Sequence, residues 1–229
     1  MRKLETSLEA GLPAEQVLDD LVYGWNNGGW LALHDYLMAC VVEARRATGP
    51  ILECGSGLTT LVVGAVARET GNELWSLEHL PEWRAKVSTE LRRFKIGSVR
   101  LCDAPLVTYP GFTWYEPPLA SMPEAFSLVV CDGPPAETPG GRYGLLPVMR
   151  DRLAPDAVIL LDDLVRVDEQ EVVNRWVSET NSWSQILGTR RQLARVTFNN
   201  RTLTTQMPAL PPGPFAGQAR KVASTDLAG

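Results

Sequence analysis

The chain has 229 residues, with 22 Lys and Arg against 27 Asp and Glu, a net charge of −5, 45% apolar and 21% charged residues. This describes one well-buried globular core with room for a small addition, and it excludes a largely disordered chain. The basic residues are scattered, densest at Arg92, Arg93 and Lys95 and at Arg190 and Arg191, whereas a nucleic-acid binder gathers them into a face that supplies most of its affinity. No apolar stretch follows the positive charges of Arg2 and Lys3, and no run of about 18 apolar residues occurs, so neither secretion nor a membrane span is expected and the protein should be cytoplasmic.

In chain order, residues 13–23 read as a helix with Pro13 at its first position. A Gly/Asn break follows at residues 24–29. Trp30, Leu33, Leu37, Cys40, Val41 and Ala44 then recur at helical spacing, giving a second helix that ends near Arg46. From Pro50 the pattern changes. Short apolar runs at 51–54, 74–77, 98–102, 126–131 and 157–161 alternate with helical stretches at 58–68, 81–94, 142–153 and 168–179. Such alternation argues for a parallel sheet covered on both faces. The runs at 184–187 and 193–198 are too close for a helix between them and should pair as a hairpin at one edge. The segment 109–118, aromatic and Pro-rich, reads as a loop over a pocket. Beyond Thr205 the prolines forbid a helix or a central strand, leaving an extended arm or little order.

The expected organisation is a helical cap at 1–47, a catalytic domain at 48–204 and a Pro-rich tail at 205–229. The four cysteines, Cys40, Cys54, Cys102 and Cys131, form no CxxC pair. They read as small core residues of a reducing compartment.

The most informative segment is the apolar strand that enters Gly55-Ser56-Gly57 and passes straight into a helix. Glycines suit a backbone that turns sharply and lets a ligand approach, at the carboxyl end of the first strand, where open α/β sheets bind ligands. A nicotinamide or flavin fingerprint wants a third glycine at the position of Thr60. Instead an acid, Glu53, precedes the loop. A carboxylate aimed there repels a pyrophosphate but suits a ligand with an ammonium and a sulfonium, which favours S-adenosylmethionine over NAD. Glu78 ends the second strand about 20 residues on, where such folds hold a ribose diol, and a carboxylate can accept from both hydroxyls. Asp103 and Asp132 close the third and fourth strands on the same edge.

Residues from about 50 to 200 therefore resemble a class I S-adenosylmethionine-dependent methyltransferase, the resemblance resting on Glu53 to Thr60 and on Cys131 to Pro135. It implies a doubly wound, mostly parallel seven-stranded α/β sheet with an antiparallel C-terminal hairpin. It also implies a cofactor site of Glu53, Gly55, Ser56, Gly57, Thr59, Glu78 and Asp132, with His79, Asp103 and Ala104 flanking the adenine. Metal-dependent O-methyltransferases, including the macrocin type, place one acid after strand four and an acidic or Asp/Asn pair after strand five. Asp132, Asp162 and Asp163 match that layout and make Mg²⁺ a candidate ligand, although Pro134 stands where the macrocin type has a further acid.

The expected activity is methyl transfer to a small-molecule acceptor, through an oxygen, with Asp132, Asp162 or His34 as catalytic candidates. Arg142 and Tyr143 are candidates for shaping the acceptor pocket, and Trp25, Trp30 and Trp114 for an aromatic wall. N-methylation, aminopropyl transfer and a non-catalytic cofactor-binding subunit stay open as alternatives, as does a homodimer. Neither nucleic acid nor membrane is an expected partner.

Overall fold

The computed structural model describes residues 1–25, 34–189 and 191–198. Three helices precede the first strand: α1 (Arg2–Ala10), α2 (Glu15–Trp25) and α3 (His34–Arg46). No helix is expected at α1 from the sequence. Only Leu4 and Leu8, one turn apart and both buried, carry its apolar face, too short a period to stand out.

Strands and helices then alternate: β1 (Ile51–Cys54), α4 (Leu58–Thr70), β2 (Leu74–Glu78), α5 (Pro81–Arg93) and β3 (Val99–Asp103). Gly71 ends α4 in the left-handed conformation at φ 72°, the usual stop for a helix. Where a loop over a pocket was expected, the chain builds a two-stranded hairpin, β4 (Leu106–Tyr109) and β5 (Phe112–Tyr115). β-formers flank Pro110 and Gly111, and Gly111 at φ 89° makes the turn, so the signal was present in the sequence.

β6 (Phe126–Cys131) follows as expected. The helix expected at 142–153 is instead three short pieces, a 3₁₀ turn at Gly141–Gly144, α6 (Leu145–Met149) and a 3₁₀ turn at Arg150–Arg152. Pro147 and Gly144 within that stretch interrupt a longer helix. β7 (Leu153–Leu161), α7 (Val167–Glu179), β8 (Ser182–Leu187) and β9 (Leu193–Phe198) complete the order.

Seven strands form one sheet in the order β3-β2-β1-β6-β7-β9-β8. β1, β2, β3, β6 and β7 run parallel, while β9 is antiparallel to β7 and to β8. The terminal hairpin thus lies at the sheet edge, as expected, with β9 inserted inside β8.

Period-two alternation divides the core. Ile51, Leu74, Leu128, Val130 and Leu160 face a layer that includes Leu4, Leu18, Leu37, Val62 and Val87 of α1 to α5. Leu52, Cys54, Leu77, Val129, Cys131, Ile159 and Leu161 face the hairpin residues Trp114 and Tyr115 and the helix residues Leu145 and Trp176. The helices of residues 1–47 are therefore part of one face of the sandwich, continuous with its core. No helix among the described residues is long and apolar enough to cross a membrane. The expected tail at 205–229, and Trp30 with it, lie outside the described residues.

The sheet order creates the site. From β1 the chain crosses to β2 on one side, and from β6 it crosses to β7 on the other, which leaves a crevice beyond the carboxyl ends of β1 and β6.

Candidate active site

A cleft of about 540 Å³, open to solvent, occupies that crevice. Gly55, Ser56, Gly57, Leu58 and Thr59 line one wall, with Glu78, His79, Trp83, Tyr115, Asp132, Gly133 and Pro135 around them. Two glycines set its floor. Gly55 has φ 87°, and a Cβ on it would stand 3.1 Å from Gly133 Cα; a Cβ on Gly133 would stand 2.4 Å from Tyr115 Oη. Only glycine lets β1 and β6 come together here.

The two glutamates do different work. Glu78 Oε2 accepts from the Ser56 N–H at 3.1 Å and from Ser56 Oγ at 2.6 Å, and Oε1 accepts from the Leu80 N–H at 2.9 Å. His79 Nδ1 lies 3.3 Å from Oε1. Burial opposes the charge of Glu78, but contacts with His79, Ser56 and the Leu80 amide outweigh it and hold its pKa below the ordinary value. Glu78 is thus an ionised carboxylate on the cleft wall.

Glu53 lies beneath the loop. In register with Ser76 of β2, it is fully buried, accepting from Ser76 Oγ at 2.5 Å and from Thr60 Oγ1 at 2.7 Å. Thr60 Oγ1 in turn accepts the Gly57 N–H at 2.7 Å. Burial pushes the Glu53 pKa up to about 7 against the hydrogen bonds from Ser76, Thr60 and Thr59. Glu53 does not line the cleft. It braces the underside of the glycine loop, because strand alternation gives it the same face as Ile51 and not the crevice.

Asp132 follows β6 and does line the cleft, with its side chain 29% exposed. Desolvation pushes its pKa up to about 6 in spite of the Arg142 charge beside it. Asp162 and Asp163 end β7 and are both buried, and burial with neighbouring Asp132 and Asp163 raises Asp162 to about 7. One carboxylate oxygen from each of Asp132, Asp162 and Asp163 lies within 4.8 Å of the others. The structure therefore brings the expected trio together.

It also places a cation among them. Arg142, buried, donates from Nη2 to Asp132 Oδ1 at 3.2 Å and to Asp163 Oδ2 at 3.1 Å, and from Nη1 to the Asp162 carbonyl at 2.6 Å. Asp163 is further held by Arg166, at 2.8 Å, and by Arg191.

The other expected residues fall around this centre. Asp103 is mostly exposed and paired with Arg84 at 3.2 Å, and Ala104 is buried with its N–H donating to the Glu78 carbonyl; neither lines the cleft. His34 is not brought to the cleft. Its Nδ1 is 3.2 Å from Asp19 and its Nε2 2.9 Å from Asp35, so it ties α2 to α3. Trp114 is fully buried in the core, and Tyr143 donates to Glu179, so neither walls the cleft.

Two cleft residues were not read from the sequence. Trp83 donates from Nε1 to the Ser56 carbonyl at 2.7 Å, and Trp25 packs edge-on against it with ring centroids 6.0 Å apart. Tyr115, delivered by the hairpin, is fully buried, and its Oη has no partner among the described residues.

Comparison with known proteins bears on this geometry. A family described as methyltransferase domain matches residues 52–164, the span from β1 through the loop after β7. Over that span the chain matches a methyltransferase domain. An SAH-bound methyltransferase of Podospora anserina superposes with a TM-score of 0.61 at 16% identity, over 82% of this chain and 89% of its own. For a putative caffeoyl-CoA O-methyltransferase of Staphylococcus aureus the values are 0.59, 12%, 85% and 99%. An O-methyltransferase of Bacillus cereus in complex with SAH gives 0.55, 13%, 83% and 94%. At these identities the likeness is one of fold. No curated protein matches the chain. The matched span thus places the glycine loop, Glu78 and Asp132 around one cleft.

Proposed function

We propose that this protein binds S-adenosylmethionine in the cleft and transfers its methyl group to an oxygen of a small-molecule acceptor. One observation carries the reading: Gly55 to Gly57, Glu78 and Asp132, read separately from the sequence as cofactor residues, line a single cleft at the switch point of the sheet. The residues fit the cofactor. Gly55 and Gly133 pack too closely against each other and against Tyr115 to admit a Cβ, which keeps the loops after β1 and β6 together, and Tyr115, whose buried hydroxyl has no partner among the described residues, lines the cleft. An unpaired buried hydroxyl is costly, and a polar ligand relieves that cost.

When bound, S-adenosylmethionine supplies a methyl carbon made electrophilic by its sulfonium. The protein does the rest. Ser56 and Trp83 hold the glycine loop in shape from the cleft side, and Glu53 with Thr60 from below. Glu78 keeps its charge and has lone pairs left to accept from hydroxyls. Positioning of this kind is the main source of rate in a displacement that needs alignment. Asp132 is the carboxylate that an acceptor can reach, so it takes the proton that a hydroxyl must lose.

The need for a base supports oxygen over nitrogen, since an amine attacks as its free base. The O-methyltransferase activity named for two of the structural neighbours points the same way. Aminopropyl transfer calls for acids free to bind a polyamine, whereas here Arg142, Arg166 and Arg191 already engage Asp132 and Asp163.

Calorimetric titration tests the cofactor reading. Wild-type protein should bind S-adenosylmethionine and SAH, and Glu78→Ala should lose most of that affinity. A folded wild-type protein that binds neither overturns it. For the acceptor, methyl-labelled cofactor offered with hydroxyl-bearing and amine-bearing small molecules should label the hydroxyls, and labelling of amines alone would refute the oxygen assignment.

A further inference from the structure

Arg142 reaches the carboxyl ends of two adjacent strands through both backbone and side chains. Nη1 donates to the Asp162 carbonyl at 2.6 Å, and Nη2 donates to the Asp132 carbonyl at 2.7 Å. Nη2 also touches Asp132 Oδ1 and Asp163 Oδ2, at 3.2 and 3.1 Å, while Nε lies 3.5 Å from Glu169 Oε1. The guanidinium is 2% exposed, and it comes from a 3₁₀ turn that the core holds in place through the buried neighbours Gly144 and Leu145.

A magnesium ion demands oxygen ligands at about 2.0–2.1 Å in near-octahedral order. An ion bridging Asp132 and Asp163 would have to share Asp163 with three arginines, and Arg142 Nη2 already stands against Asp132 Oδ1 and Asp163 Oδ2. Asp163 has no oxygen to spare, because Arg166 also takes Oδ2 and Arg191 takes Oδ1. Three acids, Asp132, Asp163 and Glu169, meet three arginines, and with Asp162 beside them little net negative charge remains to attract a divalent ion. In space, the trio that matches a metal layout in sequence surrounds a buried guanidinium.

We infer that Arg142 is the resident cation of this acid cluster, taking the place of a divalent metal, and that it positions Asp132 at the cleft. The inference rests on the proposed methyl-transfer site and adds to it how the acids are neutralised. A buried charge must be paired to be tolerated, and a bidentate guanidinium supplies direction as well as charge. Arg142 is a positioning residue: it acts on the acceptor through Asp132.

The test uses the full-length protein after exhaustive EDTA dialysis, with Mg²⁺, Mn²⁺ and Ca²⁺ as probes. Ligand that binds only the folded state raises the thermal midpoint, by several degrees for a domain of this size when the ion is at about a hundred times its Kd. Wild-type protein should show no such rise, and its affinity for S-adenosylmethionine should be the same with EDTA or metal. Arg142→Met removes the charge and keeps the bulk, and each ion should now raise its midpoint; Arg142→Lys should again show no response. A purely structural Arg142 would give no gain of metal response. A wild-type metal response that Asp162→Asn abolishes overturns the inference, as does a folded Arg142→Met that ignores metal. If Arg142→Met does not fold, the wild-type titration and its Asp162→Asn control decide. Failure of the methyltransferase reading looks different: it is the absence of S-adenosylmethionine binding, whatever the metals do.

Discussion

Ser56 and Glu78, 22 residues apart, are joined twice, through the Ser56 amide at 3.1 Å and the Ser56 hydroxyl at 2.6 Å to one carboxylate oxygen. The glycine loop and the acid at the end of β2 are thereby one unit. Either residue, once moved, moves the other.

Glu78→Ala should therefore remove a ligand contact and loosen the loop together. Hydrogen bonds to a charged group are worth about 1.5–3 kcal/mol each, so affinity for S-adenosylmethionine should fall at least about tenfold. Glu78→Gln, which can still accept from Ser56, should lose less. Titration calorimetry on both variants checks the order.

Asp132→Asn should lower kcat by about 10²–10³, the scale of a lost general base, with a much smaller change in cofactor affinity. Because the Asp132 pKa is pushed up to about 6, the wild-type rate should rise with pH through that value and level off above it. A flat profile from about pH 5 to about pH 8, a range that spans that value, would argue against Asp132 as the base.

Stability should fall as pH rises. Glu53 and Asp162 are each raised to about 7 and Asp132 to about 6 from 4.5, 3.8 and 3.8. A carboxylic acid with a raised folded pKa holds its proton more tightly in the folded state, so its contribution is full below the unfolded value and declines until the folded value is passed. Glu78, with its pKa lowered, works the other way and loses its contribution only in more acid solution. Thermal midpoints at about pH 5 should exceed those at about pH 8, and Glu53→Gln should flatten the difference.

Tyr115→Phe should weaken cofactor binding by about threefold to tenfold, the worth of one neutral hydrogen bond, while leaving the midpoint nearly unchanged, because Oη has no protein partner among the described residues to lose. Gly133→Ala is the steric counterpart. Its Cβ would stand 2.4 Å from that hydroxyl and 3.0 Å from Gly55 Cα, so binding and midpoint should both drop, and the double variant with Tyr115→Phe should recover part of the loss.

What the sequence by itself determined was whatever acts along the chain. Short continuous apolar runs and helical spacing placed the seven strands of the sheet and most of its helices, since burial on both faces of a strand and on one face of a helix leaves its mark residue by residue. Because parallel strands all point one way, the acids that end β1, β2, β3 and β6 could be assigned to one edge before any contact was known. Tertiary structure decided what happens at that edge. Glu53 and Glu78 look alike in sequence, yet strand alternation and the Ser76 hydroxyl put the first under the loop, while Ser56 and Leu80 hold the second on the cleft wall. Arg142 among three aspartates, Tyr115 carried in by the hairpin, and His34 drawn to Asp19 and Asp35 depend on which loops meet in space. Electrostatic pairing of that kind carries no period and leaves no pattern for a single sequence to display.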